Sequence, residues 1–577
     1  MQITRIFRTV YILVKVIRAM TNNRGNYFKA SEQRSKHSHK ELDKKLGETC
    51  ISKSEELSDR LTWFCSLLPS NYEFDKDTMI QLLVAQGFFY HECARSMETM
   101  ANQQFDDMFK KRFILESRFD MARGRMKYKV DNVVSTSPYL RVKEAELSNT
   151  SEEVQHLLLL SENFDQATYK TLKGFNKLQT LILFCQHGDS IKRVPYDLFL
   201  KLQHLRTLDL HGTNISELPD SISYLSSLHY LDVSETPLRL LPESIGSLRH
   251  LQTLKLESCF NFYRLPQCTN KLVNLRHLDL DILGQLTSMP VGMGNLTSLQ
   301  TLKAFLLGKG EGSDARELKH LTDLCGSFCI SRLENISGSE EAREIEISSK
   351  KHLSKLELRW EGHQDDLALH EEILECLQPH SSLKVLQISF YNGSRFPLWM
   401  SNSCLSNIVS ITLYKCKNCG YLPSLGGLPS LKSLIFFDLS VVRSIDHNFC
   451  KYEGSQIGPA FPKLEKLKID GMPNLGQWTG VENGDFPCLL RLSVGRCPKL
   501  MEIPMLSLLS CLNVLEICEC DELQSFPMGN LPSKLEFLII TDCPLIKELC
   551  IKPQSEEWSK IEHIPSIFID HEEMSST

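Results

Sequence analysis

Cys416 and Cys419 stand in CKNC, a spacing with which two thiolates can hold half of a tetrahedral zinc. The ion needs four ligands, and neither a second CxxC nor an HxxxH supplies the rest. The eighteen histidines are scattered, with no HExxH, no nucleophile elbow and no paired-carboxylate motif. No metal site and no catalytic residue is therefore expected, and the chain reads as a non-enzyme. Cys259, Cys416, Cys497, Cys520 and Cys543, with Thr213 and Thr236, instead share one place in a recurring pattern. Small, weakly polar side chains at a turn fill space and bond neighbouring backbone, so structural thiols in a reducing compartment are expected.

The pattern is LxxLxL. LRTLDLHGTNISELP at 205–219 returns as LHYLDVSETPLRLLP 23 residues later. Copies begin at Val154, Leu178, Leu205, Leu228, Leu251, Leu275 and Leu299. They continue at Cys325, Leu353, Leu383, Ile408, Leu431, Leu464, Leu489, Leu512, Leu535 and Ile564. One copy cannot bury its leucines alone, whereas stacked copies cover one another. The fold expected is an α/β solenoid, a leucine-rich-repeat horseshoe with one short strand per unit. Return segments close on a hydrophobic residue and proline, as at Leu218-Pro219, Leu241-Pro242 and Leu265-Pro266, where no ladder hydrogen bond is needed.

Within LxL the alternate residue points to the open face. Those positions give Asp209, Asp232, Asp279 and Asp281, interrupted by Lys255 and Lys303. Later copies give Tyr414, Ile435, Phe437, Phe537 and Ile539. Exposed apolar residues in a row suit a protein ligand, with the early charges supplying selection.

Residues 51–140 follow other rules. Ser52 and Glu55 can form a capping box, and Leu57, Leu61, Phe64, Cys65 and Leu68 share a helical face before Pro69. A second helix is expected from about Asp75 to Gly87, and a third through Met97, Ala101, Phe105, Met108 and Phe109. FILESRF and MKYKV then flank a hairpin turn around Gly124. Helices followed by a hairpin predict a small winged-helix domain, with the repeats occupying 151–577. Residues 110–129 hold eight Lys or Arg against two acids, but MIQLLVAQ is too apolar for a recognition helix, so no nucleic acid is expected.

The net charge of −6, with 42% hydrophobic and 24% charged residues, fits a globular chain and not a coat for nucleic acid. The start, MQITRIFRTVYILVKVIRAM, has four basic and no acidic residues. Its longest apolar run, Val10 to Val14, is too short for a signal core or a transmembrane segment. Residues 1–50 read as a disordered or mis-assigned leader, with a mitochondrial transit peptide as the alternative. The expected location is cytoplasmic, with nuclear or membrane-associated placements as the others.

LTWFCSLLPSNYEFDKDTMIQLLVAQGFF resembles the winged-helix segment of plant nucleotide-binding leucine-rich-repeat disease resistance proteins. SMETMANQQFDDMFKKRFI is similar to the helix that follows in their coiled-coil class. KYKVDNVV stands where that family writes a Met-His-Asp motif, so the motif positions here are Val130, Asp131 and Asn132. The resemblance covers roughly residues 50–570 and is to the C-terminal portion of such a receptor. It implies intracellular immune recognition of a pathogen effector or guarded host protein, with the repeats restraining a signalling half. It also implies ADP or ATP, held by GxxxxGK[ST]. That string is absent from these 577 residues: Gly308-Lys309 is followed by glycine, and a carboxylate at Asp131 repels phosphate. The expectation is no bound nucleotide, and a chain that is a truncated receptor or an incomplete gene reading. A non-signalling interaction scaffold, or an inhibitor of a full-length relative, is the alternative, and a winged-helix DNA-binding protein the weaker one.

Overall fold

The computed structural model describes residues 61–62, 64–89, 96–120, 125–131, 139–150, 153–161, 166–185, 192–280, 286–310, 313–361, 366–401, 403–450, 458–503, 506–527, 531–552 and 555–574. The leader, the Ser52–Glu55 capping box, the Gly124 turn, Asn132 and Asp281 lie outside them. Two compact units divide the chain, one spanning His39–Leu324 and the other containing Cys325–Thr577.

The first unit opens with the expected winged helix. Asp75 caps the Lys76–Ala85 helix, its carboxylate accepting from the Thr78 N–H at 2.8 Å, and Gly87 ends it with φ +72. Ser96 caps Met97–Lys110, which buries Ala101, Phe105 and Met108. Ile114–Asp120 and Arg125–Val130 pair antiparallel, so the hairpin is present. Phe74–Asp75 adds a third strand beside Arg125–Val130, immediately before the Lys76–Ala85 helix. Leu61, Phe64, Leu82, Leu83, Phe105, Ile114 and Val130 form the core.

That core does not stop at the domain boundary: Leu158, Ile182 and Tyr230, on repeat strands, belong to the same buried cluster. Full burial of such side chains contributes about 1.5–3 kcal/mol each. The repeat strands of this unit form an eight-stranded parallel sheet in sequence order. It begins at Tyr139–Lys143, paired with His156–Ser161, one strand before the expected start at residue 151. YLRVK has only Leu140 and Val142 as apolar anchors, so the LxxLxL pattern did not reveal it. In register, Leu208 pairs Leu231, Leu231 pairs Leu254 and Leu254 pairs Leu278, a continuous leucine column. Pro219, Pro242 and Pro266 each stand at the N-cap of a short 3-10 turn, with φ of −73, −70 and −64.

In the second unit the parallel strands again follow chain order, from Cys325–Ser331 through Ser566–Ile569. Each repeat start named above is matched by a strand. Glu572–Met574 folds back antiparallel on Ser566–Ile569 and covers the last edge. A small pair, Ser444–Ile445 with Gln477–Trp478, forms a separate sheet in the return segments.

One repeated feature went unread in the sequence. The residue just past many strands is left-handed although it is not glycine: Phe390 (φ 58), Lys415 (55), Asp438 (58), Arg496 (48) and Glu519 (49). Each left-handed residue costs roughly 1–2 kcal/mol. The compensation is visible: the Lys415 N–H donates to Phe437 O at 2.7 Å, and the Arg496 N–H donates to Cys518 O at 2.8 Å. The turn therefore extends the ladder by one bond per repeat.

The cysteine ladder occupies the same turns. Thr213 and Thr236 hydroxyls donate to Leu210 O and Val233 O, each at 2.7 Å. Cys259 donates to Val233 O at 3.1 Å, Cys497 to Gly495 O at 3.2 Å and Cys543 to Thr541 O at 3.3 Å. Cys416 and Cys419 point to different carbonyls, Ile388 O and Gly393 O. Burial pushes the Cys416 thiol up to about 12.

Candidate functional site

Asp209, Asp232, Lys255 and Asp279 are where the sequence reading placed a ligand surface, and the structure corrects it. All four are buried. The winged helix of the same unit lies on these strand positions and takes their polar groups as its partners. Tyr72 Oη donates to Asp209 Oδ2 at 2.9 Å, and His211 Nδ1 lies 2.7 Å from Asp209 Oδ1. Lys255 Nζ donates to Thr78 Oγ1 at 2.5 Å and lies 4.0 Å from Asp232, which also accepts from Tyr230 Oη at 2.9 Å. Gln81 Nε2 donates to Asp279 at 3.4 Å, and Gln86 Nε2 to Thr207 Oγ1 at 2.6 Å. Lys303 pairs with Glu257.

At another part of the seam, Arg276 Nε and Nη2 each donate to Glu98 at 2.6 Å, a bidentate fork. Glu98 lies in the first turn of the Met97–Lys110 helix, where a negative charge also complements the helix dipole. Tyr72, Gln81, Gln86, Glu98 and Arg276 are thus the residues that sequence reasoning missed. Each sits in an ordinary polar context, and only the docked geometry distinguishes it.

The electrostatics follow from dehydration and pairing. Burial works against the Asp75 carboxylate, but Lys255, the Thr78 amide, Arg125 and Lys127 together hold it well below its ordinary value. Burial likewise opposes Glu98, and its bonds to His277 and Arg276 outweigh that penalty and keep it low. For His211, burial favours the neutral ring, yet the Asp209 charge and hydrogen bond raise it to about 9. Burial pushes Tyr72 up, reinforced by Asp209. A cleft of about 420 Å³ remains in the seam, lined by Tyr72, Asp75, His211, Asp232, Lys255 and Glu257. Its carboxylates face cations or hydroxyls of this chain, an arrangement that fastens one domain to another.

The basic hairpin contributes to the same fastening. Across the seam Arg125 lies 3.6 Å from Glu257, while within the winged helix it lies 3.5 Å from Asp75 and Arg118 pairs with Glu73 at 2.7 Å. Val130 is buried at the end of its strand, and Asp131 is exposed, its N–H donating to Phe113 O at 3.0 Å.

In the second unit Tyr414, Ile435 and Phe437 are half-buried on the strand face. Tyr414 and Phe437 stack at 5.0 Å, and Phe390 meets Tyr414 edge-on at 5.4 Å. Arg359 lies 5.1 Å from the Phe390 ring centre and Arg496 4.7 Å from that of Phe437. Lys415 lies over both Phe390 and Tyr414. Phe537 and Ile539 do not join them. They pack with Val514 and Phe568 of the adjacent strands in a small buried cluster, 6% and 9% exposed. As a ligand site they are corrected.

Residues 67–135 match the family model described as the disease resistance protein winged helix domain, and residues 315–439 match that described as R13L1/DRL21 LRRs. The chain carries the winged helix and the leucine-rich repeats of plant disease resistance proteins. It is 32% identical over 459 residues to the putative disease resistance protein RGA1 of Solanum bulbocastanum, covering 78% of this chain and 43% of that protein. Against a putative disease resistance protein of Arabidopsis thaliana it is 31% identical over 459 residues, covering 76% and 32%. The putative disease resistance RPP13-like protein 1 of Arabidopsis thaliana is 31% identical over 469 residues, covering 76% and 44%. The chain therefore spans less than half the length of these curated relatives. Among solved structures, a leucine-rich-repeat protein of Leptospira interrogans is 19% identical with a TM-score of 0.41, covering 73% of this chain and 96% of that one. Among the described residues no helix is long and apolar enough to cross a membrane.

Proposed function

We propose that this chain acts as an intracellular plant immune receptor, or as the recognition portion of one, in the cytoplasm. Its repeats bind a protein ligand, a pathogen effector or a guarded host protein, and the chain takes part in the defence response. The observation that carries this reading is the joint match, in one chain, to a disease-resistance winged helix and to the repeats that follow it. The relatives, alike over three quarters of this chain, support the same role.

The seam supports a division of labour. The early repeats hold the winged helix through Asp209, Asp232, Lys255 and Asp279, so recognition falls to the later strands, where Tyr414 and Phe437 remain accessible. The chain acts by binding and not as an enzyme. A second reading, an interaction scaffold, rests on the same accessible Tyr414 and Phe437 strand face. Plants in which the gene is disrupted test the first reading. Greater growth of at least one pathogen isolate is expected, and unchanged growth across a broad panel of isolates contradicts it.

A further inference from the structure

The strand face of the second unit carries two kinds of feature at opposite ends. At one end is the Tyr414–Phe437 stack, level with Asp470 on the next strand. At the other, Lys466 pairs in register with Arg491, and Lys468 follows two residues on. Ile435, opposite Lys468, lies between them. Lys466 is exposed, and its ammonium is held below its ordinary value first by burial of part of the side chain and then by the like charges of Arg491 and Lys468. Among the described residues it makes no ion pair. Arg491 bonds Glu516 through Nη2 at 3.2 Å while its buried Nε donates to nothing among the described residues. Lys468 pairs with Asp470 at 3.1 Å and Arg491 with Glu516, so Lys466 is the one of the three cations left without an ion pair among the described residues, and an outside anion there would relieve its repulsion from the other two.

We propose that this face binds an extended acidic protein segment, with carboxylates over Lys466, Lys468 and Arg491 and an aromatic or aliphatic side chain on the Tyr414–Phe437 stack. The inference rests on the reading that the repeats recognise a protein, and adds the chemistry of the partner. Four residues of strand separate Lys466 from Asp470, about 13 Å at roughly 3.3 Å per residue. An extended ligand then places its acids and its ring about four residues apart, since it has the same rise. Single-stranded nucleic acid also likes cations beside rings. Here Asp470 and Glu516 stand among the cations, and an evenly charged phosphate chain would meet both. A peptide can place neutral residues opposite them.

Fluorescence anisotropy with the full chain tests the proposal. The probes are a labelled ten-residue peptide with a Glu-Asp pair four residues before a tryptophan, the same peptide with the acids changed to lysine, one with the tryptophan changed to serine, and an eight-nucleotide single-stranded RNA. The acidic aromatic peptide is expected to bind at least tenfold more tightly than the other three, with affinity falling as salt rises. Lys466→Glu is expected to weaken it at least tenfold, and Lys466→Arg to leave it within threefold. Equal or tighter binding of the lysine peptide or the RNA overturns the proposal, as does no binding of the acidic peptide at millimolar concentration or an unaffected Lys466→Glu. A protein ligand that engages the repeats and is insensitive to Lys466→Glu overturns this inference while leaving the recognition role intact. Repeats that engage no protein defeat the role itself.

Discussion

Removing the Glu98 carboxylate should loosen the winged helix from the early repeats. The pair is bidentate at 2.6 Å on each arm, and its side chains are 14% and 15% exposed for Glu98 and Arg276. Exposed ion pairs contribute about 0–1 kcal/mol, whereas breaking a buried one costs about 3–5 kcal/mol because the remaining charge is stranded. At this exposure the pair lies nearer the buried limit, and we expect about 2–3 kcal/mol for Glu98→Ala. Arg276→Ala should cost a similar amount, and the double variant little more than either single one. The coupling energy in that cycle should be about 1.5–2 kcal/mol, free of the helix-dipole contribution that Glu98 makes alone. Native-state hydrogen exchange by mass spectrometry reads the effect locally. A loss of 2 kcal/mol raises exchange in the Met97–Lys110 helix about thirtyfold, at tenfold per 1.4 kcal/mol. Additive singles, with coupling below about 0.5 kcal/mol, would refute the claim that this fork fastens the two domains.

Other outcomes follow from the same structure. Asp75 and Glu98 are held low, so their stabilisation is present above the ordinary carboxylate range and is lost as pH falls. His211 is raised from 6.5 to about 9, so its contribution is complete below 6.5 and disappears as pH rises through about 9; exchange in the Lys76–Ala85 helix should increase at both extremes, and His211→Gln should abolish the alkaline step. Gly87→Ala should destabilise by about 1–3 kcal/mol in thermal melts, because φ is +72 and the new Cβ would lie 2.6 Å from Arg206 Nη2. Phe537→Ala should lower stability by about 3 kcal/mol in urea unfolding of the second unit, as expected of a core position. Calorimetry with ADP or ATP should give no saturable heat in the micromolar range, and such heat would contradict the reading of Val130 and Asp131.

The repeat positions were legible because LxxLxL imposes its own burial: each leucine needs the neighbour's leucine, so period alone located the strands. The Tyr139–Lys143 strand escaped because its neighbour, not its own pattern, completes it. The winged helix was legible from caps, apolar spacing and the hairpin. The docking of one on the other was not. Asp209 and Asp232 alternate with leucines as any solvent-facing residues would, and nothing local records that Tyr72 and Lys255 will meet them. For the same reason Phe537 reads like Phe437 in sequence, although Phe537 joins the buried cluster of Val514, Ile539 and Phe568 while Phe437 stays half-buried between Tyr414 and Asp470. Contacts between residues separated by 137 positions, such as Tyr72 with Asp209, are set by the assembled fold.

The central claim is that the early repeats are engaged by the winged helix and the later strands meet the partner. Hydrogen exchange of the full chain, with and without a protein ligand shown to bind its repeats, tests it most directly. The account predicts new protection in peptides spanning Ser410–Tyr414, Ser433–Phe437, Lys466–Asp470 and Arg491–Gly495, with none added at Thr207–Asp209, Tyr230–Asp232 or Thr253–Leu256. Protection confined to the early strands, with the Lys76–Ala85 helix displaced and exchanging faster, would contradict it.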